Sequence, residues 1–65
     1  MKKYYISTDS GSEEITAKNI HLALEEWGEA PASVDSACKF EAWLEEVGGY
    51  GVIEENGIQI ARVAA

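Results

Sequence analysis

The chain has 65 residues, with twelve acidic and five basic side chains and a formal net charge of -7. Its hydrophobic fraction of 46% is that of an ordinary globular domain, so the high charge does not indicate disorder. A chain of this length has a thin core and few residues left to enclose a catalytic cavity, which argues against a self-sufficient enzyme. We therefore expect one small acidic binding domain over residues 1–65.

The cysteine count and the N-terminal segment indicate the cellular compartment. Cys38 is the only cysteine, which excludes an intrachain disulfide and fits a reducing compartment. The basic start at Lys2 and Lys3 is followed by only three apolar residues before Ser7, so no signal peptide is expected. No apolar run approaches the ~18 residues that a membrane span needs. We expect a soluble cytoplasmic protein.

The first strand is predicted over Lys3–Thr8, a segment rich in aromatic and β-branched residues that ends at a polar cluster. Ser12–Thr16 has two interpretations. It could return as a short second strand, with Ile15 near Ile6, or it could lead into a helix. The sequence leaves both open.

Two helices are predicted from apolar residues at helical spacing. Thr16 is the expected N-cap of a first helix from about Ala17 to Trp27, and Gly28 would end it. Ser33 is the expected N-cap of a second helix, which Gly48 and Gly49 would end. The residues expected to face the core are Ile20, Leu24 and Trp27 from the first helix and Ala37, Phe40, Leu44 and Val47 from the second.

A β-hairpin is predicted around Asn56-Gly57, because both positions of a two-residue turn require positive φ. This turn would place Ile53 opposite Ile60. The helices need an apolar surface to pack on, which the hairpin supplies. We therefore predict an α+β domain in the order strand, helix, helix, strand, strand, with an antiparallel sheet of three or four strands and both helices on one face. The expected core residues of the hairpin are Ile53, Ile58 and Ile60.

Catalytic and cofactor chemistry finds little support in the sequence. A structural zinc site needs about four Cys or His ligands, whereas this chain offers only Cys38 and His21. No activating motif surrounds either residue, so Cys38 is expected in or at the edge of the core and His21 at a solvated helix position. The glycines at 48, 49 and 51 follow a helix instead of leading into one, which indicates helix termination and not a phosphate cradle. No cofactor or metal is expected.

The distribution of charge is the most informative feature. All twelve acids lie between Asp9 and Glu55, a segment whose only basic residues are Lys18 and Lys39. Glu41 and Glu45 are four residues apart on the predicted second helix, where like charges cost roughly 0.2–0.5 kcal/mol. One interpretation is solubility through net negative charge. The other is a surface that meets a basic partner, with carboxylates where the phosphates of a duplex would stand.

The segments Lys3–Ser10 and Glu14–Ile20, with the length and dense acidity of the chain, resemble small phage-encoded anti-CRISPR proteins, and among these an inhibitor of the type I-C system. The resemblance implies a protein of the host bacterial cytoplasm that binds the Cascade complex and blocks target DNA recognition, by filling the basic PAM-reading site of the large subunit. The contact residues that it implies are Glu25, Glu26, Glu29, Glu41, Glu45, Glu46, Glu54 and Glu55, with Asp9, Glu13 and Glu14 as second choices.

Three aromatic residues are candidates for anchoring an interface. Tyr50, Trp27 and Trp43 could anchor an interface, although in so small a core the tryptophans are expected to be structural. The alternatives are a DNA mimic that inhibits another basic protein, an antitoxin-like partner with apolar contacts, and a small enzyme that uses Cys38 and His21. We expect a monomer that binds neither nucleic acid nor membrane.

Overall fold

The fold is a four-stranded antiparallel sheet with two helices, seen in a computed structural model that describes residues 1–65. In chain order the elements are β1 (Lys2–Thr8), β2 (Gly11–Ala17), α1 (Ile20–Trp27), α2 (Ala37–Val47), β3 (Gly51–Glu55) and β4 (Ile58–Val63). The strands lie in the order β2-β1-β3-β4. The α+β prediction is confirmed, and the number of strands is four. Neither helix has the length and apolar composition needed to cross a bilayer.

One face of the sheet forms the core with both helices. Side chains alternate along a strand, so Tyr4 and Ile6 of β1 are buried whereas Tyr5 lies on the opposite, uncovered face. Ile53 of β3 lies directly opposite Ile6 and continues the buried row. All the buried residues are hydrophobic: Tyr4, Ile6, Ile15, Ala17, Ala23, Leu24, Trp27, Val34, Phe40, Leu44, Ile53 and Ala61.

The segment Ser12–Thr16, for which the sequence allowed two interpretations, lies within strand β2. Ile15 pairs with Tyr4 of β1, and Ala17 pairs with Lys2. Ile15 and Ala17 are two residues apart, so a strand turns both toward the core, where both are buried. Burial of this pair favours the strand over an early start of the helix.

Both helices begin three residues later than predicted. The predicted N-cap Thr16 is wrong because it lies inside β2, and α1 is capped by Asn19, whose side-chain oxygen accepts a 2.9 Å hydrogen bond from the third helical N–H. The predicted N-cap Ser33 is also wrong. Ser36 caps α2 in the same way, at 3.3 Å. Each true cap has extended φ and ψ and offers an oxygen to an otherwise unpaired helical N–H.

The predicted helix ends are confirmed. Gly28 and Gly48 have φ values of 73° and 77°, the left-handed conformation that closes a helix at low cost with glycine. Two expectations for α2 are wrong. Val47, the last residue of α2, is 61% exposed, and Cys38 is exposed because α2 turns Phe40 and Leu44 inward instead.

The hairpin has the predicted turn but a different register. Asn56 and Gly57 both have positive φ, 51° and 83°. Beyond the turn the ladder shifts by one residue, so Ile53 lies opposite Ala61 and not opposite Ile60. An extra residue in one strand reverses which side chains face the core, and Ala61 is therefore buried while Ile60 is only half-buried. The prediction of Ile58 as a core residue is wrong, since it is 70% exposed at the start of the edge strand β4.

Gly51 is required for space and not for helix termination. A Cβ atom at this position would lie 2.6 Å from the carbonyl oxygen of Ser7 in the neighbouring strand β1. Gly48, by contrast, ends α2 through its positive φ and has open space around it. The glycine cluster therefore combines a helix stop with a close approach of two strands.

Candidate functional site

The turn between β1 and β2 and the C-terminal ends of both helices lie at the same end of the molecule. They enclose a groove of about 300 Å³. Asp9 comes from the turn, Trp27 and Glu29 come from the end of α1, and Trp43 and Gly48 come from the last turns of α2. Three segments that are far apart in the sequence therefore contribute to one surface.

This end of the molecule carries a group of exposed carboxylates, which we call the acidic end. None of its members makes an ion pair or a side-chain hydrogen bond within the chain. The partial negative charge at the C-terminus of each helix adds to their field. The members of the acidic end are Asp9, Glu26, Glu29, Glu45 and Glu46.

Most of the basic side chains lie at the other end of the sheet. Lys2 and Lys3 begin β1, and Lys18 directly follows the residue that pairs with Lys2. The Lys2 ammonium is 3.8 Å from the carboxylate of Glu55, and that of Lys3 is 3.9 Å from the carboxylate of Glu14. The molecule therefore has a strong charge asymmetry along the strand direction.

The other two basic side chains do not neutralise the acidic end. Lys39 shares a second groove with Glu46, but its ammonium is held 3.1 Å from the carboxylate of Asp35. The hydrogen bond from Lys39 lowers the pKa of Asp35 from its usual value. Arg62 lies opposite Val52, at the same end of the strands as the acidic end but on the uncovered face of the sheet, away from the groove between the helices.

Two of the predicted contact residues are occupied within the fold. A carboxylate oxygen of Glu41 accepts a 2.7 Å hydrogen bond from the backbone N–H of Arg62, which joins α2 to β4. A carboxylate oxygen of Glu55 accepts a 2.6 Å hydrogen bond from the hydroxyl of Tyr4. These two carboxylates connect secondary-structure elements and are the least available for a partner.

The remaining predicted contact residues lie apart from the acidic end or at its margin. Glu25 is 3.7 Å from the imidazole of His21, one turn earlier on α1. Glu14 and Glu54 flank Tyr5 on the uncovered face of the sheet. Glu13 is exposed on the edge strand β2. The structure thus groups Glu26, Glu29, Glu45 and Glu46 with Asp9, and separates the others.

Trp43 is a surface feature as well as a core residue. Its ring centroid lies 6.3 Å from that of Trp27 and 6.2 Å from that of Phe40. Trp27 is only 9% exposed, whereas Trp43 is half-buried and lines both grooves beside α2. In the sequence, Trp43 lies next to the inward-facing Leu44, a position at the border of the apolar face that could have indicated partial exposure.

The structure contains no group of three or more His, Cys, Asp or Glu side chains arranged to hold a metal ion. Every buried side-chain nitrogen or oxygen has a hydrogen-bond partner. Tyr50 is 45% exposed and lines a separate groove with Arg62 on the uncovered sheet face. The acidic end and its groove are therefore the most distinctive surface of this molecule.

Comparisons with protein-family models, curated proteins and solved structures find no match to this chain. The fold and surface define a small acidic α+β domain with five unpaired carboxylates grouped at one end and three lysines at the other.

Proposed function

We propose that this chain inhibits a basic DNA-binding protein by presenting its acidic end as a mimic of DNA. The proposed target is the type I-C Cascade complex, at the basic surface of the large subunit that reads the PAM. The observation that supports this proposal is the concentration of five unpaired carboxylates at one end, while Lys2, Lys3 and Lys18 lie at the other.

Solubility alone does not account for this arrangement. A net charge of -7 keeps a small domain dispersed wherever the charges lie. Grouping Glu26, Glu45 and Glu46 at helix C-terminal ends costs stability, because each opposes the helix dipole and Glu45 also repels Glu41 one turn earlier. A basic partner would offset that cost by pairing with the free carboxylates.

The charge asymmetry would also orient the encounter. A basic cleft attracts the acidic end and repels the lysines at the far end, so the domain approaches with one preferred orientation. The carboxylates of the acidic end, at the ends of two helices and on a turn, offer a basic cleft several negative charges in place of the phosphates of DNA. Basic side chains that contact the DNA at the PAM would meet carboxylates instead, and target DNA would be excluded.

The test is competition with target DNA for purified type I-C Cascade. The variant Glu45→Gln/Glu46→Gln removes two charges from the acidic end, and Glu14→Gln/Glu54→Gln removes two charges from the uncovered sheet face. The wild type is expected to displace DNA at low salt and to weaken as salt increases. The first variant should compete about tenfold less well, and the control within about twofold, because only the former loses carboxylates that face the partner.

Two results would contradict the proposal. Failure of the wild type to bind Cascade at any salt concentration would exclude this target, and displacement of DNA from a different basic protein would then identify mimicry of another kind. Binding that survives high salt and is unaffected by both variants would instead indicate an apolar, antitoxin-like contact.

A further inference from the structure

The groove at the acidic end combines aromatic walls with negative charge. Its volume is about 300 Å³, which suits one side chain better than a whole helix or strand. Trp27 and Trp43 form its apolar walls, and the only charged side chains that line it are Asp9 and Glu29. Both helices also direct their C-terminal ends toward it. The charged side chains and the helix dipoles at the groove therefore all favour a cation.

The Trp43 ring is held in place before any partner binds. It packs edge-on against Trp27, with 78° between the ring planes, and at 55° against Phe40. Trp27 and Phe40 also contact each other, at 5.9 Å between centroids, so the three rings restrain one another. A fixed aromatic surface binds with little loss of side-chain entropy.

We propose that this groove binds an arginine side chain of the basic partner, with the guanidinium against the Trp43 ring and its N–H groups directed to the carboxylates of Asp9 and Glu29. This inference rests on the proposed function and names the group that the acidic end recognises. Tryptophan is the strongest aromatic partner for a cation, and guanidinium is the cation that most often occupies such a site. Its planar, weakly hydrated group can stack and donate to carboxylates simultaneously, whereas a lysine ammonium is a strongly hydrated point charge.

The inference can be tested on the whole chain by NMR titration with a tri-arginine peptide and a tri-lysine peptide at low salt. The arginine peptide is expected to shift the indole N–H signal of Trp43 and the backbone signals of Asp9 and Glu29. It should bind several-fold more tightly than the lysine peptide.

Variants separate the groove from the general charge. Asp9→Asn/Glu29→Gln should weaken tri-arginine binding by about tenfold, and the charge-matched Glu14→Gln/Glu54→Gln by less than about twofold. Trp43→Phe keeps an aromatic ring and should weaken binding about threefold, while a cooperative urea unfolding transition reports an intact fold. Equal weakening by the two charge variants, or shifts that avoid Trp43, would overturn the inference.

The same variants distinguish this inference from the proposed function. If Asp9→Asn/Glu29→Gln competes with DNA for Cascade as well as the wild type does, the groove is not the arginine site although mimicry stands. If tri-arginine binds the groove but the wild type never displaces DNA, the groove is an arginine site and the proposed function is wrong.

Discussion

The hydroxyl of Tyr4 donates a 2.6 Å hydrogen bond to a carboxylate oxygen of Glu55, directly across the β1–β3 pair. Tyr4 is fully buried, so its only polar side-chain atom must find a partner within the fold. Glu55 is also 3.8 Å from the ammonium of Lys2. Glu55 is therefore a structural residue at the lysine end of the sheet, which removes it from the group of carboxylates that could meet a partner.

Replacing Tyr4 with Phe is expected to destabilise the domain by about 1–2 kcal/mol, because the hydrogen bond to a charged, partly buried carboxylate is lost without a change of shape. Urea unfolding measures the effect. Tyr5→Phe is the matched control, since Tyr5 is the next residue and lies on the uncovered face, and it should change stability by less than about 0.5 kcal/mol. Equal effects of the two substitutions would show that the Tyr4 hydrogen bond contributes nothing.

The same contact makes stability sensitive to alkaline pH. Burial, together with the hydrogen bond to Glu55 and the charge of Glu55, raises the pKa of Tyr4 from 10.0 to about 12. The folded chain holds this proton more tightly than the unfolded chain does, so the contribution to stability is fully present below pH 10 and is lost as the pH rises from 10 toward 12. Between about pH 10 and 12, the urea midpoint of the wild type should fall more steeply than that of Tyr4→Phe. Parallel pH profiles for the two proteins would contradict this assignment.

The true helix caps can be tested with a pair of serines on the same segment. Ser36→Ala should cost about 1 kcal/mol, because the N–H of Lys39 loses the oxygen that accepts its 3.3 Å hydrogen bond. Ser33→Ala removes the cap that the sequence predicted but that makes no such bond, and should cost less than about 0.5 kcal/mol. Thermal unfolding of both variants decides between the two positions. A larger loss at Ser33 would place the start of α2 earlier.

Glu41 and Glu45 lie one turn apart on α2 but are expected to have different roles. Glu41→Ala should destabilise the fold by about 1 kcal/mol, because the backbone N–H of Arg62 loses its 2.7 Å acceptor. Glu45→Ala should leave stability the same or slightly higher, since it relieves repulsion and an unfavourable helix-dipole contact.

In competition with DNA for Cascade the order should reverse. Glu45→Ala should weaken inhibition by about threefold and Glu41→Ala hardly at all, once unfolding is accounted for. Loss of inhibition by Glu41→Ala with unchanged stability would return Glu41 to the contact surface.

Features that depend on residues close together in the chain could be predicted before the fold was known. Helix stops at Gly28 and Gly48 and the turn at Asn56-Gly57 follow from backbone conformations that only a few residue types adopt easily. The strand at Lys3–Thr8 and the core positions Phe40 and Leu44 follow from side-chain periodicity. These local rules were sufficient for the α+β class, and the acidity was evident from composition.

Features that depend on contacts between distant segments could not be predicted in this way. Strand β2 forms because Ile15 and Ala17 are buried against the core. The bulge in β4 places Ala61 instead of Ile60 opposite Ile53. The helix caps are Asn19 and Ser36 because β2 and the loop before α2 extend further along the chain than predicted. The candidate site was only half predictable. The acidic residues could be identified from the sequence. Only the fold brings Asp9 into one groove with Glu29 and Trp43, and only the fold engages Glu41 and Glu55 in internal hydrogen bonds. The reason is that a carboxylate's neighbours across the sheet are set by chain topology and not by spacing along the sequence.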